Sequence, residues 1–255
     1  MPREIIQVKN LVKKFADFTA VDNISFSVKE GEIFAFLGPN GAGKTTTIKI
    51  LTTLLKPTSG DIRVNNQDVV TEKNQVRHSF GIVFQDPSSD DELTAYENMQ
   101  FHAVLYGLPK ELWKEKIEKL LKFVELWERK DNFVKTFSGG MRRRLEIARG
   151  LLHEPKIFFL DEPTLGLDPQ TRSHIWNYIV NLNQKRGLTV FFTTHYMDEA
   201  ERIAQKIAII DHGEIVAQGT VLELMKQTQK KSLEEAFIYL TGTLSAKRMP
   251  MASTG

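Results

Sequence analysis

The stretch GPNGAGKT at residues 38–45 constrains this chain more than any other. It follows a continuous apolar run, Ile33 to Leu37, and opens a segment in which Ile48, Leu51 and Leu55 recur at helical spacing. A buried strand, a glycine-rich turn and a helix in that order form an anion cradle. Gly38, Gly41 and Gly43 allow successive N–H groups to face one point, while Pro39, Asn40 and Ala42 complete the turn. The helix N-terminus adds its dipole. Lys44 brings a mobile positive charge for β- and γ-phosphates, and the Thr45 hydroxyl, followed by Thr46, is placed to ligate Mg²⁺.

A chain built around such a loop needs a parallel sheet with both faces covered. Further continuous apolar runs at Ile157 to Leu160, Val190 to Phe192 and Ile207 to Ile210 meet that need. A helix is expected from Pro169 to Lys185, with Asp168 as N-cap, Pro169 at the first position and Gly187 past the end. The alternation predicts an α/β fold with a doubly wound parallel core. Short strands with polar turns from Val8 to Val28 and at Asp61 to Val64 predict an antiparallel patch beside it. From about Leu93 to Arg149 the signal is helical, and Ile117, Leu120, Leu121 and Val124 share one face. The expected organisation is one domain over 1–242. Its core and β patch cover about 4–92 and 150–220, a helical insertion spans 93–149, and a C-terminal helix spans 221–242. A disordered tail is expected at 243–255.

Composition removes several alternatives. Hydrophobic residues are 41% and charged residues 26%, a globular balance. Lys plus Arg exceeds Asp plus Glu by only two, giving no global attraction to nucleic acid or an anionic membrane. Cysteine is absent, which excludes thiolate metal sites and Cys nucleophiles. No apolar run approaches the roughly 18 residues of a membrane span, and MPREIIQVKN does not read as a signal peptide. Arg142, Arg143 and Arg144 form the one basic cluster. With no interleaved aromatic residue, it is read as a solvated helix face near phosphate groups.

A second chemical signal is IFFLDEP at 157–163, a buried strand delivering two acids to its C-terminal edge. Asp161 would hold the Mg²⁺ shell through Thr45 and water, and Glu162 would orient and deprotonate an attacking water. FSGGM at 137–141 precedes a helix. Ser138 is a candidate cap, and Gly139 and Gly140 expose N–H groups to an anion. Gln85 and His195 each follow an apolar strand.

In order and spacing these segments resemble the ATP-binding subunit of an ABC transporter, over about Glu4 to Gly242. The resemblance implies a P-loop, RecA-like core, ATP and Mg²⁺ as nucleotide and cofactor, and ATPase activity. It implies that Phe15 stacks on adenine, with Phe18 as a substitute. Gln85 would help coordinate Mg²⁺ and report nucleotide state. His195 would hydrogen-bond the γ-phosphate. Ser138 and Gly140 would contact the γ-phosphate held by an opposite subunit, and Asp168 would line that interface. The implied partners are a second ATPase subunit, in a homodimer or pseudo-dimer, and a separate multi-span permease at the cytoplasmic face of the membrane. No nucleic acid is implied. Phe137 and Met141 replace the family's usual Leu and Gln, while the Ser-Gly-Gly centre is intact. KTTTIKILTTLLKPTSG, VFQDPSSDDELTAYENM and SLEEAFIYLTG are similar to the branch exporting drugs, lipids or polysaccharides, the daunorubicin-resistance type. A soluble ABC ATPase of translation or DNA maintenance is the alternative. A P-loop kinase is a third reading, against which the signature loop argues.

Overall fold

In the computed structural model, residues 3–248 are described, with side chains described through residue 242. Two sheets form the frame. The larger has the order β10 (Glu214–Gly219), β9 (Lys206–Asp211), β3 (Ile33–Leu37), β8 (Thr189–Thr194), β7 (Ile157–Asp161), β6 (Phe80–Val83). Its ladders are parallel except β10–β9. The smaller sheet is antiparallel: β2 (Phe18–Lys29), β1 (Glu4–Phe15), β4 (Ser59–Val64), β5 (Gln67–Asp68).

Both faces of the large sheet are covered, which explains apolar runs without alternation. Phe34, Phe36, Phe159 and Phe191 face the small sheet, where they meet Phe26, Ile6, Val8 and Val28. The rings of Phe26, Phe34, Phe36 and Phe191 pack with centroids 5.5–5.9 Å apart. On the other face Ile33, Leu37, Phe158, Leu160, Val190 and Phe192 pack with helices. These include α3 (Ala95–Leu105), α4 (Lys110–Phe123), α5 (Gly139–Leu151) and α6 (Pro169–Arg186), through Met99, Ile117, Leu145 and Trp176. The remaining helices are α1 (Lys44–Leu51), α2 (Lys73–Ser79), α7 (Met197–Ile203), α8 (Val221–Thr228) and α9 (Leu233–Arg248).

Local chemistry sets the boundaries. Thr94 opens α3 with a reciprocal capping box to Glu97, which couples two otherwise unpaired donors. Asp168 caps α6 by accepting from the Thr171 N–H, Pro169 occupies the first position, and Gly187 ends it at φ 64°.

Three readings differ. Val8 to Val28 is not a series of short strands. It belongs to two 12-residue strands joined at Ala16–Asp17, interrupted by register shifts beside Asn10. The C-terminal segment is two helices, because Gln229 takes a left-handed conformation (φ 57°) and breaks the run. The second helix continues into the stretch read as a tail, of which 249–255 lie outside the described residues.

Candidate functional site

The site lies where β3, β8 and β7 end side by side. β3 feeds the glycine-rich loop, β7 delivers Asp161 and Glu162, and β8 delivers Thr193, Thr194 and His195. A cavity of about 530 Å³ opens there. Phe18, Asn40, Gly43, Lys44, Thr45, Thr46, Gln85, Glu162 and His195 line it. The fold thus brings together residues up to 177 positions apart in sequence, from Phe18 to His195.

The loop turns because Gly43 adopts φ 107°, where a Cβ would lie 2.6 Å from the Ala20 carbonyl oxygen. Gly43 then caps α1 without a side chain, leaving the first-turn N–H groups of that helix for a ligand. Lys44 is buried rather than displayed. Its ammonium donates to the carbonyls of Gly38 (2.7 Å) and Pro39 (3.1 Å) and pairs with Glu162 at 3.2 Å.

The acids are held by β8. Thr193 Oγ1 donates to Asp161 Oδ1 at 2.6 Å, and Thr45 Oγ1 donates to the same oxygen at 3.3 Å. The Glu162 N–H donates to Thr193 Oγ1 at 3.0 Å. Glu162 itself has φ 46°, left-handed backbone that a side-chain residue adopts at a cost of about 1–2 kcal/mol. This turn swings its carboxylate between Lys44 and His195. His195 Nδ1 is 3.2 Å from Glu162 Oε2 but off the line of a hydrogen bond, so that nitrogen is buried without one.

A magnesium ion fits this donor set. A hydroxyl and a carboxylate oxygen already share a hydrogen bond, and Gln85 faces the same cavity. Few protein oxygens and no clustered carboxylates suit a cation whose remaining ligands are phosphate oxygens and water. Among the described residues no group of three or more His, Cys, Asp or Glu is arranged to hold a metal by itself.

Other anticipated residues lie elsewhere. Phe15 lies directly across the β1–β2 hairpin from Phe18, with Lys13 over its ring at 4.7 Å, and it is Phe18 that lines the cavity. Ser138 caps α5 by accepting from the Met141 N–H. It is outside that cavity, as are Gly139, Gly140 and Asp168. Gly140 sits against Thr171, whose N–H and hydroxyl occupy the Asp168 carboxylate and hold its pKa down. Phe137 is buried, and Met141 packs against the helical core.

The basic cluster departs from its reading as a solvated face. Arg143 is 7% exposed. It donates to the carbonyls of Pro163 (2.6 Å), Glu162 (2.9 Å) and Asp161 (3.4 Å), and to that of Phe84. Sequence reasoning missed Arg143 and Thr193. Helical spacing does not single out Arg143, because Arg142, Arg143 and Arg144 each lie four residues before a buried residue of α5, at Glu146, Ile147 and Ala148.

Comparison with known proteins follows the same lines. A family model described as "ABC transporter" matches residues 21–165, more than half the chain. The linearmycin resistance ATP-binding protein of Bacillus subtilis (strain 168) is 39% identical over 94% of this chain and 80% of its own length. The daunorubicin/doxorubicin resistance ATP-binding protein of Streptomyces peucetius is also 39% identical, over 100% of this chain and 77% of its own. A solved structure described as the ATP-binding subunit of an ABC transporter superposes with TM-score 0.85 at 30% identity, covering 93% of this chain and 99% of that one. A dimeric post-hydrolysis cassette bound to ADP and Pi superposes with TM-score 0.77 at 29% identity, covering 84% and 98%.

Proposed function

The chain belongs to the ABC transporter family as an ATP-binding, ATP-hydrolysing subunit, and we propose that it powers a membrane exporter by closing as a dimer around ATP. The observation that carries the exporter reading is the likeness, over 94–100% of the chain, to ATP-binding proteins named for drug resistance.

The proposed chemistry uses the cavity as built. Phosphate oxygens of ATP replace the Gly38 and Pro39 carbonyls as partners of Lys44 and accept from the N–H groups at the start of α1. Thr45, Asp161 and Gln85 hold Mg²⁺, which when bound neutralises charge on the β- and γ-oxygens. Glu162 accepts a proton from the attacking water, and His195 hydrogen-bonds the γ-phosphate. An aromatic ring of the β1–β2 turn, Phe15 or Phe18, stacks on adenine. Ser138, Gly139 and Gly140 meet the ATP of the opposite subunit, with Asp168 at that interface. Their location outside the phosphate-loop cavity supports sharing between subunits, as does the dimeric form of a structural relative. Residues 1–242 would act as one ATPase domain with its helical insertion at 93–149.

No helix among the described residues is long and apolar enough to cross a membrane. Attachment to the cytoplasmic face would then run through a separate permease. A groove of about 280 Å³ between α2, β6 and α3 offers the surface, lined by Leu54, Ile82, Phe84 and Leu105, with Phe101 and Val104 exposed beside it. It ends one residue before Gln85, so a partner seated there would touch the segment that reaches the phosphates. The test is fractionation of cells carrying the whole transporter. Leu105→Glu with Phe101→Glu should move the chain from membranes to supernatant while nucleotide affinity is unchanged. Undiminished sedimentation of that variant refutes the docking surface.

A further inference from the structure

We propose that Arg143 is a positioning residue for hydrolysis, one that fixes the backbone turn carrying Glu162 and ties it to the segment carrying Gln85. The inference rests on the reading of Glu162 as the base. The turn after β7 has to be held from outside, because Glu162 is in left-handed backbone with φ 46°. Thr193 holds its N–H side through the side chain and the backbone carbonyl, at 3.0 and 3.2 Å. Arg143 holds its carbonyl side. Nε reaches Pro163 O, and Nη2 reaches both Glu162 O and Asp161 O.

The remaining nitrogen faces the other way. Nη1 donates to Phe84 O, the residue before Gln85, and to Glu146 Oε2 at 3.2 Å. A guanidinium has five N–H donors in a rigid fork, and five acceptors surround this one. Glu146, 3% exposed, uses its other oxygen to accept from the Ser88 N–H, three residues past Gln85. Arg149, one turn further along α5, donates to Ser88 O and Oγ. One inward stripe of α5 therefore grips both the acid turn and the Gln85 segment, and its first turn begins at Ser138.

Two features separate this role from direct catalysis. Arg143 does not line the cavity. Its charge is also paired with buried Glu146, so the two together add no net charge beside the phosphates. What Arg143 supplies is geometry, and a displacement of about 1 Å at a base is worth about a hundredfold in rate.

The test uses the full chain at concentrations where wild type hydrolyses ATP. Arg143→Lys keeps the charge against Glu146, but one ammonium cannot span both segments. Arg143→Gln with Glu146→Gln removes both buried charges together, should the lysine variant misfold. Both should bind MgATP within about threefold of wild type, with KM little changed and kcat down about tenfold or more. The deciding readout is a cycle with Glu162→Gln. If Arg143 acts through Glu162, adding Arg143→Lys to that background lowers the residual rate by less than about twofold. Wild-type kcat in a folded Arg143→Lys protein overturns the proposal. So does a full, multiplicative loss in the Glu162→Gln background, which marks a merely structural role. Undiminished hydrolysis in Glu162→Gln alone overturns the base reading itself, and this inference with it.

Discussion

The phosphate-loop lysine and the proposed base neutralise each other, and this makes Glu162→Gln informative beyond lost turnover. At 3.2 Å and an effective dielectric constant near 20, the gross attraction between Lys44 and Glu162 is about 5 kcal/mol. Desolvation of two buried ions cancels much of that, and Lys44 keeps the Gly38 and Pro39 carbonyls in the variant. A net loss of about 2 kcal/mol of nucleotide-free stability is expected, which lowers the melting temperature by about 6 °C for a chain of this size. The same 2 kcal/mol is an interaction that phosphate no longer has to displace, so nucleotide should bind about thirtyfold more tightly. Affinity is measured with ADP, which keeps γ-phosphate-driven dimerisation out of the comparison. Phosphate release from ATP should meanwhile fall by about a hundredfold or more. Lys44→Ala is the control that loses binding. An ADP affinity at or below wild type, together with an unchanged melting temperature, would refute the reasoning.

Two further outcomes follow from burial. His102 and His153 stack around Tyr106, and burial pulls their pKa values down to about 3 and about 4. The unfolded chain takes up those protons below about pH 6.5 while the native chain does not, so stability drops as pH falls through that value. Urea unfolding should show each histidine removing about 1.4 kcal/mol between pH 7.5 and 5.5, and His102→Gln should erase its share; an unaltered difference would exclude it. Gly81→Ala places a Cβ 2.0 Å from the Gly150 carbonyl oxygen, between β6 and α5. Backbone cannot give way there cheaply, so a loss of about 3 kcal/mol is expected in the same assay, and a wild-type midpoint would contradict it.

The parts of this molecule legible in sequence are those whose physics is local. The Gly43–Lys44 turn, the Asp168 cap, Pro169 and Gly187 each act within a few residues, and each is found where its chemistry requires. Continuous apolar strands were legible because burial on two faces leaves no room for alternation. The long β1–β2 hairpin was not. Its turn at Ala16–Asp17 carries no Asn-Gly or Asp-Gly signal, and register shifts interrupt the period of two. Arg143 was hidden for a different reason. Within RRR nothing local distinguishes the inward arginine, and four of its five acceptors come from segments 18 to 59 residues away. Thr193 looked like one more β-branched strand residue until the sheet order set it beside Asp161.

That order also separates what this protein does from what it does it for. The reacting groups other than Gln85 hang from β3, β8 and β7, inner strands whose ladders bind them into one block. The groove proposed for the permease is assembled from β6, the outermost strand on that side, with α2 and α3 beyond it. An edge strand has one neighbour to satisfy, so side chains along it can change shape without disturbing the ladders at the centre. If that groove is the docking surface, substitutions there that leave the Phe84 carbonyl and Gln85 in place would refit the chain to a different partner while its treatment of ATP stays the same.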